Sequence, residues 1–174
     1  MKHFLIVVDM QKDFVDGALG TPEAVAIVPA VCDRICTFEG EIIVTYDTHS
    51  TTYLDTAEGK KLPVTHCVKD TDGWQLDTAV AAALAGKTYR AVEKPTFGSV
   101  ALPALVAQMA GEEPFDITLI GLCTDICVVS NALLLKAHFP EVSIAVESAL
   151  CAGVTPDSHT AALQTMTMCQ IDVK

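Results

Sequence analysis

The chain predicts an α/β protein, a three-layer α/β/α architecture around a six-stranded, mostly parallel sheet, Rossmann-like in plan. Three observations predict it. Short apolar runs alternate with amphipathic runs along the whole length, and parallel strands need such crossovers, usually helices. The 174 residues are enough for one domain, 1–174, with a sizeable core. Hydrophobic residues make up 51 %, which favours a folded globule over disorder.

The elements follow in order. FLIVVD (4–9) is a strand, an apolar run closed by an aspartate. PEAVAIVPAVCDRICTF (22–38) is a helix with Thr21 as its cap and Pro22 in first position, although Pro29 argues for a kink or a late start. EIIVTYD (41–47) is a strand. The polar stretch from Thr48 to Gly73 lacks clear periodicity, and loops this long usually carry function. QLDTAVAAALAG (75–86) is a helix closed by Gly86. TYRAVEK (88–94) is a strand, LPALVAQMA (102–110) a helix, DITLIG (116–121) a strand and DICVVSNALLLKAHF (125–139) a helix. VSIAVES (142–148), PDSHTAALQTMTM (156–168) and CQIDV (169–173) complete the pattern as strand, helix and short last strand.

Charge and cysteine usage exclude several function classes. The net charge is -11, from 22 acidic and 11 basic residues, and no basic cluster is longer than Lys60–Lys61. A phosphate backbone or an anionic membrane is repelled by such a surface, so neither nucleic acid nor membrane is an expected partner. No apolar run approaches the roughly 20 residues that span a bilayer. In the opening MKHFLIVVDMQKDF, Asp9, Lys12 and Asp13 break the apolar run too early for a signal peptide, so a cytoplasmic location is expected. The seven cysteines, an odd number, stand at 32, 36, 67, 123, 127, 151 and 169 and argue against a disulfide framework.

In open α/β sheets ligands bind beyond the carboxyl ends of the strands. Asp9, Asp47 and Lys94 each close a predicted strand and Cys127 follows one, so all four should meet on one edge. Cys127 falls in the first turn of a helix, where unpaired N–H groups and the helix dipole favour a thiolate. That suits a nucleophile; the alternative is a small core residue. Asp9 can serve as base, and Lys94 between them lowers both pKa values by its charge; the alternative is an ion pair under the sheet edge. The long loop adds Asp47 and His49, two apart on one side of an extended segment, and His66. With Glu58 as a candidate fourth ligand they form a set suited to a divalent metal ion: zinc, iron or manganese.

These residues carry a resemblance. The chain resembles the isochorismatase-like cysteine hydrolase superfamily and, within it, the nicotinamidase (pyrazinamidase) branch. LIVVDMQKDFVDGALG resembles the family's opening, VTYDTHS its D-x-H metal motif, LPVTHCVKDTDGWQL the segment with the second metal histidine, EKPTFGS the lysine segment, and GLCTDICV the nucleophile motif. The resemblance implies a Cys127–Asp9–Lys94 triad and metal ligands at Asp47, His49 and His66, with Glu58 a further candidate. It also implies a cis peptide at Leu122–Cys123, which aims the backbone N–H of Cys123 alongside that of Cys127 as an oxyanion hole. Phe14 matches an aromatic that holds the substrate ring in that branch. Pro63 and Ala101 stand where aromatics are common, and Tyr53, Trp74 and Phe97 are candidates to replace them.

The implied function is a metal-containing cysteine amidohydrolase, most specifically one converting nicotinamide to nicotinate and ammonia through a thioester. The alternatives are a related amide or ureide hydrolase with another substrate, and a catalytically inactive binding protein on the same fold. Relatives commonly associate, so a homo-oligomer is a state open to the chain.

Overall fold

The computed structural model describes residues 1–174. Six strands lie in the order β3-β2-β1-β4-β5-β6, all parallel. They are β1 (Lys2–Val8), β2 (Glu41–Asp47), β3 (Tyr89–Lys94), β4 (Phe115–Leu122), β5 (Ile144–Ala152) and β6 (Asp172–Val173). The helices are α1 (Lys12–Val15), α2 (Pro22–Thr37), α3 (Ala57–Lys61), α4 (Thr78–Leu84), α5 (Leu102–Ala110), α6 (Val129–His138) and α7 (Pro156–Met168). A 3₁₀ turn at Tyr53–Asp55 and a π-helical turn at Thr124–Val128 complete the set.

Strand alternation divides the core into two layers. Phe4, Ile6 and Val8 of β1 join Leu102 and Val106 of α5, Leu135 of α6 and Met166 of α7 on one face. Leu5 and Val7 join Ile27, Val31 and Ile35 of α2 and Val80 and Leu84 of α4 on the other. The strand order reverses between β1 and β4, so the crevice beyond their carboxyl ends is the switch point where such sheets bind ligands.

The three-layer α/β/α arrangement expected from the sequence is present, and the differences are local. Residues 22–37 form one helix despite Pro29; Thr21 accepts the Ala24 N–H at 3.0 Å, and burial of Ala24, Ile27, Val31 and Ile35 holds the rest. The helix expected over 75–86 begins at Thr78, because Asp77 accepts the N–H groups of Ala79 and Val80 and caps it there. β5 starts at Ile144 and runs to Ala152, four residues past the expected end; after a register shift, Cys151 and Ala152 pair with Gly121 and Leu122. Only Asp172–Val173 of the last predicted strand is extended. The long loop holds the 3₁₀ turn and α3, whose cap Thr56 accepts the Gly59 N–H at 3.0 Å.

Candidate active site

The strand register assembles the site. Val8 pairs with Thr45 and Gly121, and Asp47 with Lys94, so the residues closing β1, β2 and β3 stand side by side. Asp9 has φ +46°, a left-handed conformation uncommon outside glycine and characteristic of functional sites. Its N–H donates to Thr45 Oγ1 at 3.2 Å, and the Thr45 hydroxyl donates back to Asp9 Oδ1 at 2.6 Å. Lys94 Nζ lies 2.6 Å from Asp9 Oδ2, 3.4 Å from Cys127 Sγ and 3.4 Å from Asp47 Oδ1, and donates to the Thr96 carbonyl at 3.2 Å. Asp9 Oδ2 is buried and faces both the Lys94 ammonium and the Cys127 side chain. A carboxylate oxygen beside a buried thiol is placed to receive that thiol's proton.

Electrostatics corrects one expectation. Burial and the Asp9 charge push the Cys127 thiol well above its ordinary range, and the Lys94 charge only partly opposes them. Burial likewise raises Asp9 against the pull of Lys94. Burial disfavours charge on Lys94, but Asp9, Cys127 and Asp47 outweigh it and keep the ammonium protonated. The thiol is therefore held toward its neutral form and the lysine toward its ammonium form, against the thiolate that a helix terminus alone would favour. Cys127 itself sits in the π-helical turn between β4 and α6, where the N–H groups of Ile126 and Val128 both donate to the Cys123 carbonyl. The Leu122–Cys123 peptide is cis, and the Cys123 N–H has no acceptor within the protein.

A second cluster adjoins the first through Asp47, whose Oδ1 faces Lys94. Its Oδ2 lies 3.0 Å from His49 Nε2 and 3.5 Å from His66 Nε2, and Glu58 Oε1 lies 3.7 and 3.8 Å from the same two nitrogens. One ligand atom each from Asp47, His49 and His66 falls within 4.8 Å of the others. His49 is placed by its N–H to the Cys67 carbonyl and by the Lys69 N–H to its own carbonyl, each 2.9 Å, which zips residues 49 and 67–69 together. His66 Nδ1 donates to the Val64 carbonyl at 2.7 Å and leaves Nε2 facing the cluster. Burial opposes a charge on His66, but Asp47, the Val64 carbonyl and Glu58 outweigh it, so the spot favours a cation. Burial would raise Asp47, but hydrogen bonds from both histidines and the Lys94 charge hold it well below the usual carboxylate range. Two imidazoles, one ionised carboxylate and a second carboxylate at the edge fit a divalent ion.

A cavity of about 540 Å³ is lined by His49 and Glu58 of the second cluster and by Lys61, Thr96, Phe97 and Ile126 among others; it reaches the chain neighbours of Lys94 and Cys127, while Asp9, Lys94 and Cys127 themselves do not line it. Of the aromatics weighed from the sequence, Phe97 lines it. Phe14 is buried with its ring edge toward His66, centroids 5.5 Å apart, and Tyr53 packs against both histidines at 4.6 and 4.9 Å. Trp74 lies on Tyr46, away from the cavity, and donates to the Thr48 hydroxyl at 2.9 Å. Among the buried polar residues that escaped the sequence reading, three support the site directly. Thr45 clasps Asp9 as described. Gln11 accepts the Asp47 N–H at 2.8 Å and donates to the Asp47 and Trp74 carbonyls at 2.9 and 2.8 Å. Asn131 bonds to the Cys127 carbonyl at 2.8 Å. The signal open to a reader was a polar side chain inside an otherwise apolar run, which is informative only once the partner is known.

The Isochorismatase domain matches residues 3–173. No curated protein matches the chain in sequence. Among solved structures, the pyrazinamidase of Pyrococcus horikoshii in complex with zinc is similar at 25 % identity, over 100 % of this chain and 99 % of that one, with a TM-score of 0.82. The N-carbamoylsarcosine amidase of Thermoplasma acidophilum is similar at 26 % identity, over 100 % and 96 %, with a TM-score of 0.79. The nicotinamidase/pyrazinamidase of Bacillus subtilis shares the fold at 24 % identity, over 99 % of each chain, with a TM-score of 0.84.

Proposed function

The chain belongs to the isochorismatase family, and from that premise we propose that it is a metal-containing cysteine amidohydrolase that converts a small amide, nicotinamide foremost, to its acid and ammonia. Hydrolysis of a C–N amide bond is the activity named for its amidase neighbours. The observation that carries the reading is the buried trio in which Lys94 Nζ stands 2.6 Å from Asp9 Oδ2 and 3.4 Å from Cys127 Sγ. A cation, a carboxyl group and a thiol, all withdrawn from water and in mutual contact, are costly to bury as mere structure.

The chemistry runs as an acyl transfer. Asp9 takes the thiol proton as Cys127 Sγ bonds to the amide carbon, and the carbonyl pair moves onto oxygen. The free N–H of Cys123, with that of Cys127, faces the developing charge. Asp9 then returns the proton to the amide nitrogen, the C–N bond breaks, and ammonia leaves a thioester. Water gives its proton to Asp9 and attacks that thioester; the C–S bond breaks and the sulfur recovers the proton. Lys94 keeps the negative charge, whichever atom bears it, paired throughout. Asp47, His49 and His66, with Glu58, would hold one divalent ion, zinc by the donor set and by the zinc-bound neighbour, which supplies a Lewis-acidic anchor for a ring nitrogen. Phe97 offers the face on which a planar ring can lie.

A second reading, a ureide or carbamoyl hydrolase, is favoured by the likeness to the carbamoylsarcosine amidase and by Pro63 and Ala101 at positions often aromatic in nicotinamidases. Ammonia release from nicotinamide, pyrazinamide, an N-carbamoyl amino acid and an aliphatic amide, with and without chelator, separates the two. Nicotinamide turnover about a hundredfold better in kcat/KM than the aliphatic amide, or roughly 2.7 kcal/mol of discrimination, is the expected result. Preference for the carbamoyl compound selects the second reading, and no turnover of any member returns the chain to a binding role.

A further inference from the structure

Residues 95–99 leave β3 and pass over the start of α6 before α5 begins, carrying Phe97 to the cavity wall. Two features hold them there. Gly98 lies so near α6 that a Cβ on it would meet Leu134 Cδ1 at 2.6 Å and Ser130 Cβ at 3.2 Å. Asn131, fully buried in α6, accepts the Ser99 N–H at 2.9 Å and donates to the Phe97 carbonyl at 3.3 Å and the Cys127 carbonyl at 2.8 Å. One carboxamide thus spends its acceptor on the passing segment and divides its two donors between that segment and the nucleophile's turn. Asparagine is a poor helix former and costly to bury, so packing alone does not account for it. A hydroxyl at the same position could still reach back to the Cys127 carbonyl, four residues earlier, but could not span to residues 97–99.

We infer that Asn131 is a positioning residue that sets the Phe97 wall at a fixed distance from Cys127 and thereby decides how well a planar ring is held over the nucleophile. The inference rests on the proposed roles of Cys127 and Phe97. Asn131 touches no substrate; it acts through the Phe97 and Cys127 backbones, and it makes ring selectivity a property of the tie as well as of the aromatic.

The test needs no amide turnover. Intact protein is treated with iodoacetamide and, separately, with its N-phenyl derivative, and alkylation of the Cys127 peptide is timed by mass spectrometry. The ratio of the two rates reads the hold on the ring. Asn131→Thr should lower that ratio about fivefold, the scale of coupling between residues in contact. Phe97→Ala should lower it similarly, and the double variant no further than Phe97→Ala alone. A ratio unchanged in Asn131→Thr, or two effects that multiply, overturns the inference. Asn131→Asp, which keeps the acceptor for Ser99 and loses both donors, serves if the threonine variant does not fold, with the same outcomes. A Cys127 that reacts with neither reagent overturns both this inference and its role as nucleophile; alkylation with the expected ratios in a protein that hydrolyses no amide overturns the proposed reaction alone.

Discussion

Asp9 joins a left-handed backbone, a hydroxyl clasp from Thr45 and an ion pair to Lys94 in one buried residue. Its removal should show in two ways. Asp9→Asn leaves Lys94 with only the more distant Asp47 as counter-charge; unfolding in denaturant should show a loss of about 3 kcal/mol, and kcat should fall on the order of a thousandfold as the base disappears. A variant as stable as wild type would mean the pair is not the buried unit described. Cys127→Ala should keep the fold and retain less than about one per cent of the activity, because no other group can form the acyl intermediate. Cys123→Ala should be mild, since its contribution comes from the backbone; a loss in Cys123→Ala equal to that in Cys127→Ala would contradict this division. At this scale the sequence was legible where residue type and strand end coincide: Asp9, Asp47, Lys94 and Cys127 all gather on one edge. Thr45, Gln11 and Asn131 were not legible, because each is defined by a partner that only register or crossover brings near. The upward shift of the Cys127 thiol was not legible for a related reason: the helix terminus is a local feature, whereas burial and the Asp9 charge are not.

At the scale of elements, the crevice depends on how closely β4 approaches β1. Gly121 has φ +112°, and a Cβ there would meet the Val8 carbonyl oxygen at 2.2 Å. Gly121→Ala should therefore force the ends of β1 and β4 apart, costing roughly 1–3 kcal/mol and displacing Asp9 from Cys127. Thermal unfolding and kcat should fall together, and a variant with unchanged kcat would show that the strand ends do not set the distance between base and thiol. The same region explains what the sequence pattern missed. Period and length placed each long element, because an apolar run between polar segments reads the same in one dimension as in three. The π-helical turn, the extension of β5 to Ala152 and the late start of α4 depend on caps and register shifts that hydrophobic periodicity does not encode.

For the whole molecule, three buried thiols, Cys67, Cys127 and Cys151, and the half-buried Cys123 give stability a pH dependence of definite sign. Burial pushes Cys123 and Cys151 up to about 12, and Cys67 and Cys127 are raised as well. An unfolded chain releases these protons near pH 8.5 while the folded one keeps them, so the stability they confer is full below that pH and is lost as pH rises toward the folded values. The thermal midpoint should fall steadily from pH 9 to pH 11 on this account; a flat profile over that interval would show that the thiols are not buried as described. Charge acts at the same scale: at -11 the molecule favours neutral or cationic small molecules over polyanions. The two clusters, joined through Asp47, make one site whose central claim is covalent: hydrolysis through a thioester on Cys127. Rapid quenching in acid during turnover of the best amide in the panel, followed by mass spectrometry of the digested protein, tests it most directly. The account predicts one acyl group on the peptide carrying Cys127, absent from Cys127→Ala; steady turnover with no such adduct, or with turnover preserved in Cys127→Ala, would contradict it.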